Sequence, residues 1–290
     1  MMRERRVLSP YTKSVLHYIA LTIVSVIWLI PVYAMIINGF KSNLEVASSP
    51  VLVPPSHPTL SPYMAVAHVL ETPIINSLIV AVIASLLSTI LGSMGAYFFY
   101  VLSNSYFRGS GMLSNFLFSL IALGTFIPYE ATLIPLTRFI VDINLLNSYP
   151  GLIVSMLIFY IPTAALLMSL FVTVVPKSLI EAARLDGAGD VKIFFKVILP
   201  LVIPGFISTL IFIIIESWNN FFLPLVLTTT PSMRLVPVAV EAYTGGYGTL
   251  YNETFAVATL ASLIPLIIFI FLGRYFIRGL VALGGAGKGV

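Results

Sequence analysis

Six apolar stretches, each long enough to cross a bilayer, leave this chain few ways to fold. They run over about 15–37, 74–102, 112–136, 149–174, 203–227 and 255–277. A bilayer core takes roughly 20 apolar residues per helix and offers the backbone no hydrogen-bond partner. Each stretch must satisfy its own N–H and C=O groups, which makes it a helix. Barrel strands alternate polar and apolar residues, whereas these runs are apolar on every side. Composition agrees, because only 9% of the 290 residues are charged, against about 25% in a soluble domain. The expected fold class is an all-α integral membrane protein: six transmembrane helices forming one domain over residues 1–290.

Lys and Arg give the orientation. Of the 15 basic residues, Lys41, Arg138 and Arg234 fall in segments on one side, and all the others fall on the opposite side. The basic side is the cytoplasmic one, so both termini are expected in the cytoplasm of a multi-pass protein of the cell membrane. The run from Val15 is too long for a signal-peptide core and is read as an uncleaved first span. The outer segment Asn38–Pro73 holds Pro50, Pro54, Pro55, Pro58 and Pro62, which predicts irregular, stiffened chain. Pro128 and Pro135 in the third stretch and Pro162 in the fourth can kink their helices. Without cysteine there is no disulfide or thiolate chemistry, and His17, His57 and His68 are too scattered to suggest a shared site. The net charge of +4 is no nucleic-acid signal.

One charged island, residues 175–202, interrupts the apolar pattern on the cytoplasmic side. Ser178 followed by Glu181 has the capping-box spacing for a helix start. Gly187 can end that helix in a left-handed turn. Asp190 can then cap a second helix over Val191–Leu199, with Pro200 and Pro204 marking its junction to the next span. Residue by residue, a solvated hairpin explains these features equally well.

The whole pattern says more. Glu181-Ala182-Ala183, then Asp186-Gly187-Ala188, then an apolar helix closing on Leu199-Pro200 closely resembles the EAA loop of permease subunits in binding-protein-dependent ABC importers. Asn76-Ser77, Ile127-Pro128, Leu145-Leu146-Asn147-Ser148-Tyr149, Val175-Pro176-Lys177-Ser178-Leu179 and Ser217-Trp218-Asn219-Asn220-Phe221 look like the same family. The resemblance is nearest to the carbohydrate importers, specifically the second, six-span permease of the maltose system. It implies the type I importer permease fold, with the EAA loop forming coupling helices that seat in a cleft of an ATPase subunit. On that basis Glu181, Ala182, Ala183, Asp186, Gly187 and Ala188 are the expected coupling residues. The implied partners are a second permease, two ATPase subunits or domains, an extracytoplasmic solute-binding protein and membrane lipid. ATP would be bound by the partner ATPases, and this chain would need no cofactor. Gly279-Leu280 and the stretch Gly284–Gly289 resemble the tail that reaches between the two ATPases in the maltose system.

Gly287-Lys288 also invites a phosphate-loop reading, which fails. Ala282 stands where that loop needs glycine, and Gly289 stands where it needs Ser or Thr. Within the fifth stretch, Glu216 is a costly charge, on the order of 2.5–3.5 kcal/mol on insertion scales. With Trp218, Asn219 and Asn220 it reads either as a solute-pathway wall or as an interhelical hydrogen-bond cluster. Glu130 lies nearer the outer end of its span and reads equally as a surface residue. A non-sugar solute such as a polyamine or amino acid fits the same architecture. An ion-coupled secondary transporter is a different class, and the spans offer it few ionisable groups.

Overall fold

Proline and asparagine break two of the six expected spans. The computed structural model describes residues 10–104, 109–244 and 250–286, the side chains of residues 10, 12, 13 and 276–286 excepted. Arg3, Arg5, Arg6, Arg108, Gly287, Lys288 and Gly289, and the side chains of Lys13 and Arg278, lie outside the described residues. Every regular element among the described residues is helical.

The first stretch lies within α1 (Pro10–Gly39), which is followed by the short α2 (Asn43–Ser48). The second lies within α3 (Ser61–Ser103). The third is divided into α4 (Ser110–Gly124), a 3₁₀ turn at Tyr129–Thr132 and α5 (Leu133–Asp142), with an 86° bend. Pro128 sits at that break in an extended conformation. Pro135 falls in the first turn of α5, where no intrahelical donor is lost. The fourth stretch is α6 (Tyr149–Val172).

The charged island forms α7 (Lys177–Leu185), α8 (Asp190–Ile193), a π turn at Phe194–Ile198 and α9 (Leu199–Leu201). The fifth stretch is α10 (Ile203–Asn219), broken at Asn220–Phe221 before α11 (Phe222–Leu227). The short α12 (Val236–Glu241) and the long α13 (Tyr251–Ala286) complete the chain. Among the described residues four helices are long and apolar enough to cross a membrane, or up to six if two bent pairs, Ser110–Gly124 with Tyr129–Asp142 and Asp190–Leu201 with Ile203–Asn219, are each counted as one span.

Contacts divide the chain into two compact units, Met1–His68 with Tyr243–Leu260 and Val69–Ala242 with Ala261–Val290. In the first unit, prolines do not leave the segment after α1 loose. Asn38 Nδ2 donates to Ala34 O and Val51 O, both at 2.7 Å. Lys41 is fully buried and donates through Nζ to Ser49 Oγ at 3.0 Å and Pro50 O at 3.1 Å. The Ser56 N–H donates to Glu45 Oε1 at 2.6 Å, and that bond holds the Glu45 carboxyl below the usual carboxylate range.

The second unit is built on α6, which packs against α4, α10 and α11. Its core joins Val80 and Ala84 of α3, Ile140 of α5, Leu152 and Met156 of α6, Ile213 of α10 and Leu223 of α11. Small residues let α3 approach α6: a Cβ on Gly92 would overlap Ala164 and the Ala165 backbone. Helices in lipid gain little from burying one apolar surface against another, so close contact through small residues matters more. Ser85, Thr89 and Ser93 are also fully buried, and their hydroxyls bond to carbonyls of their own helix.

Candidate functional site: the helical corner of the charged island

The island folds into two helical pieces at a tight corner, by local chemistry that differs in part from expectation. Ser178 is not the cap of α7. Pro176 is, with φ −61° and ψ 130°, and no side chain bonds there. Proline already holds the φ that an N-terminal boundary needs, so the helix begins at Lys177 and Ser178 falls inside it. Asp190 is not a cap either, since Gly189 takes that position. The second helix also differs from the expected Val191–Leu199: it starts at Asp190, loosens into the π turn and closes at Leu201. Pro200 accounts for the loosening, because it has no N–H and its ring would press on the carbonyl four residues back. Leu199 N–H accordingly bonds to Phe194 O, five residues back.

Gly187 behaves as expected, with φ +77°. The Ala188 N–H bonds to Ala183 O at 3.0 Å, and the Gly187 N–H bonds to Arg184 O at 2.9 Å. These are the paired bonds of a Schellman motif, and Ala183 and Ala188 close it as half-buried neighbours of one apolar cluster. That cluster fixes the corner to the second unit through Ala96, Tyr97, Met168, Val172, Ile180, Ile193, Phe194 and Ile198. Tyr100 OH donates to Val175 O at 2.9 Å, and Tyr97 OH reaches Asp190 Oδ1 at 3.4 Å.

The outward face of α7 is Ser178, Glu181, Ala182, Leu185 and Asp186, all exposed. Their spacing of three, four, seven and eight residues is one helix face. Ile180 points inward. Two features of this face do nothing for the chain itself. Asp186 places a carboxylate at a helix C-terminus, against the helix dipole. Leu185 is 89% exposed at the corner. Sequence reasoning missed Leu185, although its position four residues after Glu181 places it on the same face.

Sequence reasoning also missed an ion pair that braces the corner. Arg184 Nη2 donates to Asp190 Oδ1 at 2.9 Å, which holds the guanidinium above its ordinary pKa. Both side chains are about half-exposed, so the pair contributes under about 1 kcal/mol.

The four residues at the end of α10 separate. Trp218 is buried among Ile74, Leu78, Val236, Val240, Ala261 and Ile264. Asn220 is buried, donates to Tyr160 OH at 3.1 Å and accepts from Leu223 N–H at 3.1 Å, which shapes the turn into α11. Glu216 and Asn219 are exposed, and the Glu216 carboxylate lies within electrostatic reach of Tyr129 and Tyr160. Tyr129 packs against Phe159 and Phe222, with ring centroids 5.9 and 6.3 Å away. Among the described residues no group of three or more His, Asp or Glu could hold a metal ion.

The family-like motifs elsewhere in the chain have structural work. Asn76 Nδ2 donates to Ser232 O at 2.8 Å and Arg234 O at 3.0 Å, while Asn76 Oδ1 accepts from Tyr149 OH at 2.6 Å. Ser77 Oγ accepts from Val236 N–H at 2.8 Å. Asn147, left-handed at φ +57°, accepts from Thr229 and Thr230 N–H groups. Ser148 caps α6 by accepting from Gly151 N–H. These bonds tie the segment 228–236 to the interior of α3 and the N-terminal end of α6.

Comparison with known proteins agrees with this architecture. The chain is 66% identical, over 97% of its length and 98% of the relative's, to the glucose import system permease protein of Saccharolobus solfataricus. It is 30% identical, over 93% and 95%, to an arabinooligosaccharides transport system permease protein of Halalkalibacterium halodurans. Its fold is that of a chain in a bacterial ABC transporter involved in the import of the acidic polysaccharide alginate, with TM-score 0.77 and 22% identity over 93% of this chain and 99% of that one. The family model of the binding-protein-dependent transport system inner membrane component matches residues 88–281, and this multi-pass membrane protein belongs to that family.

Proposed function

We propose that this chain is the permease subunit of an ATP-driven importer for a sugar, glucose first among the candidates. The observation that carries the sugar reading is the 66% identity, along almost the whole chain, to a glucose import permease. Residues 1–290 act as one permease domain with both termini in the cytoplasm. A second permease subunit, a different chain, completes the pathway, and an extracytoplasmic binding protein delivers the solute. ATP is bound and hydrolysed on partner ATPases.

In this proposal the outward face of α7 enters a cleft of the ATPase. Glu181 and Asp186 meet basic groups there, Ala182 allows close approach, and Leu185 is the apolar anchor. Ala183, Gly187 and Ala188 hold the corner in shape. ATP-driven closure of the ATPases pushes the corner, and the cluster around Ile193, Phe194 and Ile198 carries the movement into α3 and α6. The exposed Glu216 and Asn219, beside Tyr129 and Phe222, are the residues proposed to face the solute. A charge inside a span must face a cavity or another helix, and aromatic faces beside a carboxylate and an amide suit sugar hydroxyls. Trp218 and Asn220 support that wall from behind.

A thermal-shift screen of the cognate binding protein against sugars, polyamines and amino acids tests the solute class. Stabilisation by glucose or another sugar is the expected result, and stabilisation by polyamines or amino acids alone refutes it. Uptake that persists without ATP but collapses with the proton gradient would refute the importer reading itself.

A further inference from the structure

The arm Asp190–Leu201 has two faces, and the chain uses only one. Ile193, Phe194 and Ile198 are buried. Outward, Val191 (63% exposed) and Phe195 (43%) form an apolar stripe four residues apart. Lys192 and Lys196, both exposed, form the next stripe. Neither lysine has an ion pair among the described residues.

Two further observations bear on what covers this face. The arm meets α10 at 87°, so with α10 running through the bilayer the arm lies along the membrane surface. Apolar side chains beside lysines in that plane are the pattern of an interfacial helix, with rings entering the acyl boundary and lysine stems reaching back to the headgroups. Between the arm and α3 lies a groove of 160 Å³ lined by Met94, Tyr97, Phe98, Val101, Val191 and Phe194, with Asp190 at its edge. The carboxylate is already engaged by Arg184 and Tyr97. An apolar space of about this size takes a benzene ring, so it has room for a few methylenes.

We propose that the arm and this groove form a binding site for an anionic phospholipid. Its phosphate sits at Lys192 and Lys196, and an acyl chain crosses Val191 and Phe195 into the groove. Charge separates this face from the one proposed to meet the ATPase. The outward face of α7 carries Glu181 and Asp186, whereas the arm's one carboxylate, Asp190, is paired with Arg184 and its other charges are Lys192 and Lys196. The site goes beyond the docking role proposed for α7, and lipid retention and ATPase capture are read separately.

The test uses the full chain purified with equal phosphatidylglycerol and phosphatidylcholine, with retained lipids counted by native mass spectrometry. Wild type should retain phosphatidylglycerol over phosphatidylcholine by on the order of 30-fold, the share of two lysines near an anionic surface. K192Q/K196Q should bring the ratio close to one, and K192R/K196R should keep it. Equal retention of both lipids by wild type overturns the proposal and requires no variant. An unchanged ratio in K192Q/K196Q overturns it too, and if ATPase capture falls in that same variant, the face docks protein instead.

Discussion

Gly187 offers the sharpest separation between what the backbone needs and what a partner needs. Its φ of +77° lies in the left-handed region, where an L side chain costs roughly 1–2 kcal/mol. A Cβ built there meets nothing within 4 Å, so Gly187→Ala perturbs conformation and not packing. Opening of the corner should then become about 5–30 times more frequent. The bonds that report it are Ala188 N–H to Ala183 O and Gly187 N–H to Arg184 O. Hydrogen exchange followed by mass spectrometry on a peptide covering 184–190 should show that acceleration in Gly187→Ala. Gly187→Asn should stay near wild type, because asparagine tolerates this conformation. Unchanged exchange in the alanine variant would refute the backbone argument. Capture of the ATPase then reads the second need. If docking requires open space at the corner, Gly187→Asn and Gly187→Trp lose capture although Gly187→Asn keeps its protection and Gly187→Trp still inserts in the membrane. Normal capture by Gly187→Trp would sink the coupling assignment.

Three further outcomes are expected. Asn76→Ala removes three hydrogen bonds at a residue only 2% exposed, which should cost about 2–4 kcal/mol. Unfolding in denaturing detergent measures it, and a loss below about 0.5 kcal/mol would contradict the clamp. Gly92→Val should force α3 away from Ala164 and cost about 1–3 kcal/mol; an unchanged unfolding midpoint would show that the contact can yield. For Glu45 the folded-state pKa lies below the ordinary value, so its stabilising bond to Ser56 is fully present above the ordinary value and lost as pH falls through the lowered one. The protection factor of the Ser56 amide, which corrects for the intrinsic exchange rate, should fall in that acidic window, and Glu45→Gln should make it independent of pH there.

Much of this was legible in the chain because membrane physics is severe. Continuous helices at α1, α3, α6 and α13 follow from apolar length alone. Breaks at Thr125–Pro128 and Asn220–Phe221 were not legible, since a proline only permits a bend. The bend is decided by where α5 and α11 find packing partners. At the helical corner, Gly187 was readable because left-handed backbone selects glycine. Ser178 and Asp190 misled because several polar residues there satisfied the capping pattern, and only the fold chooses among them. Asp190 is drawn from capping by Arg184 and Tyr97, the latter 93 positions away in sequence. Trp218 and Asn220 read either as a wall for solute or as an interhelical cluster, and burial places both in the core. Lys41 entered only as one of the basic residues that set the orientation, and nothing local showed that the fold would bury it at the centre of a hydrogen-bonded loop.

The hydroxyl stripe of α3 bears on the order in which the protein is made. Ser85, Thr89 and Ser93 each bond to a carbonyl of their own helix, so they require nothing from α6. Such a helix can leave the insertion machinery and enter lipid alone with those three groups already satisfied, the neighbouring Ser88 Oγ being the buried hydroxyl of α3 that finds no partner among the described residues. Gly92 then waits as a shallow notch until α6, synthesised more than 50 residues later, arrives to fill it. Biogenesis can therefore proceed helix by helix, with tight association postponed until both members are resident in the bilayer.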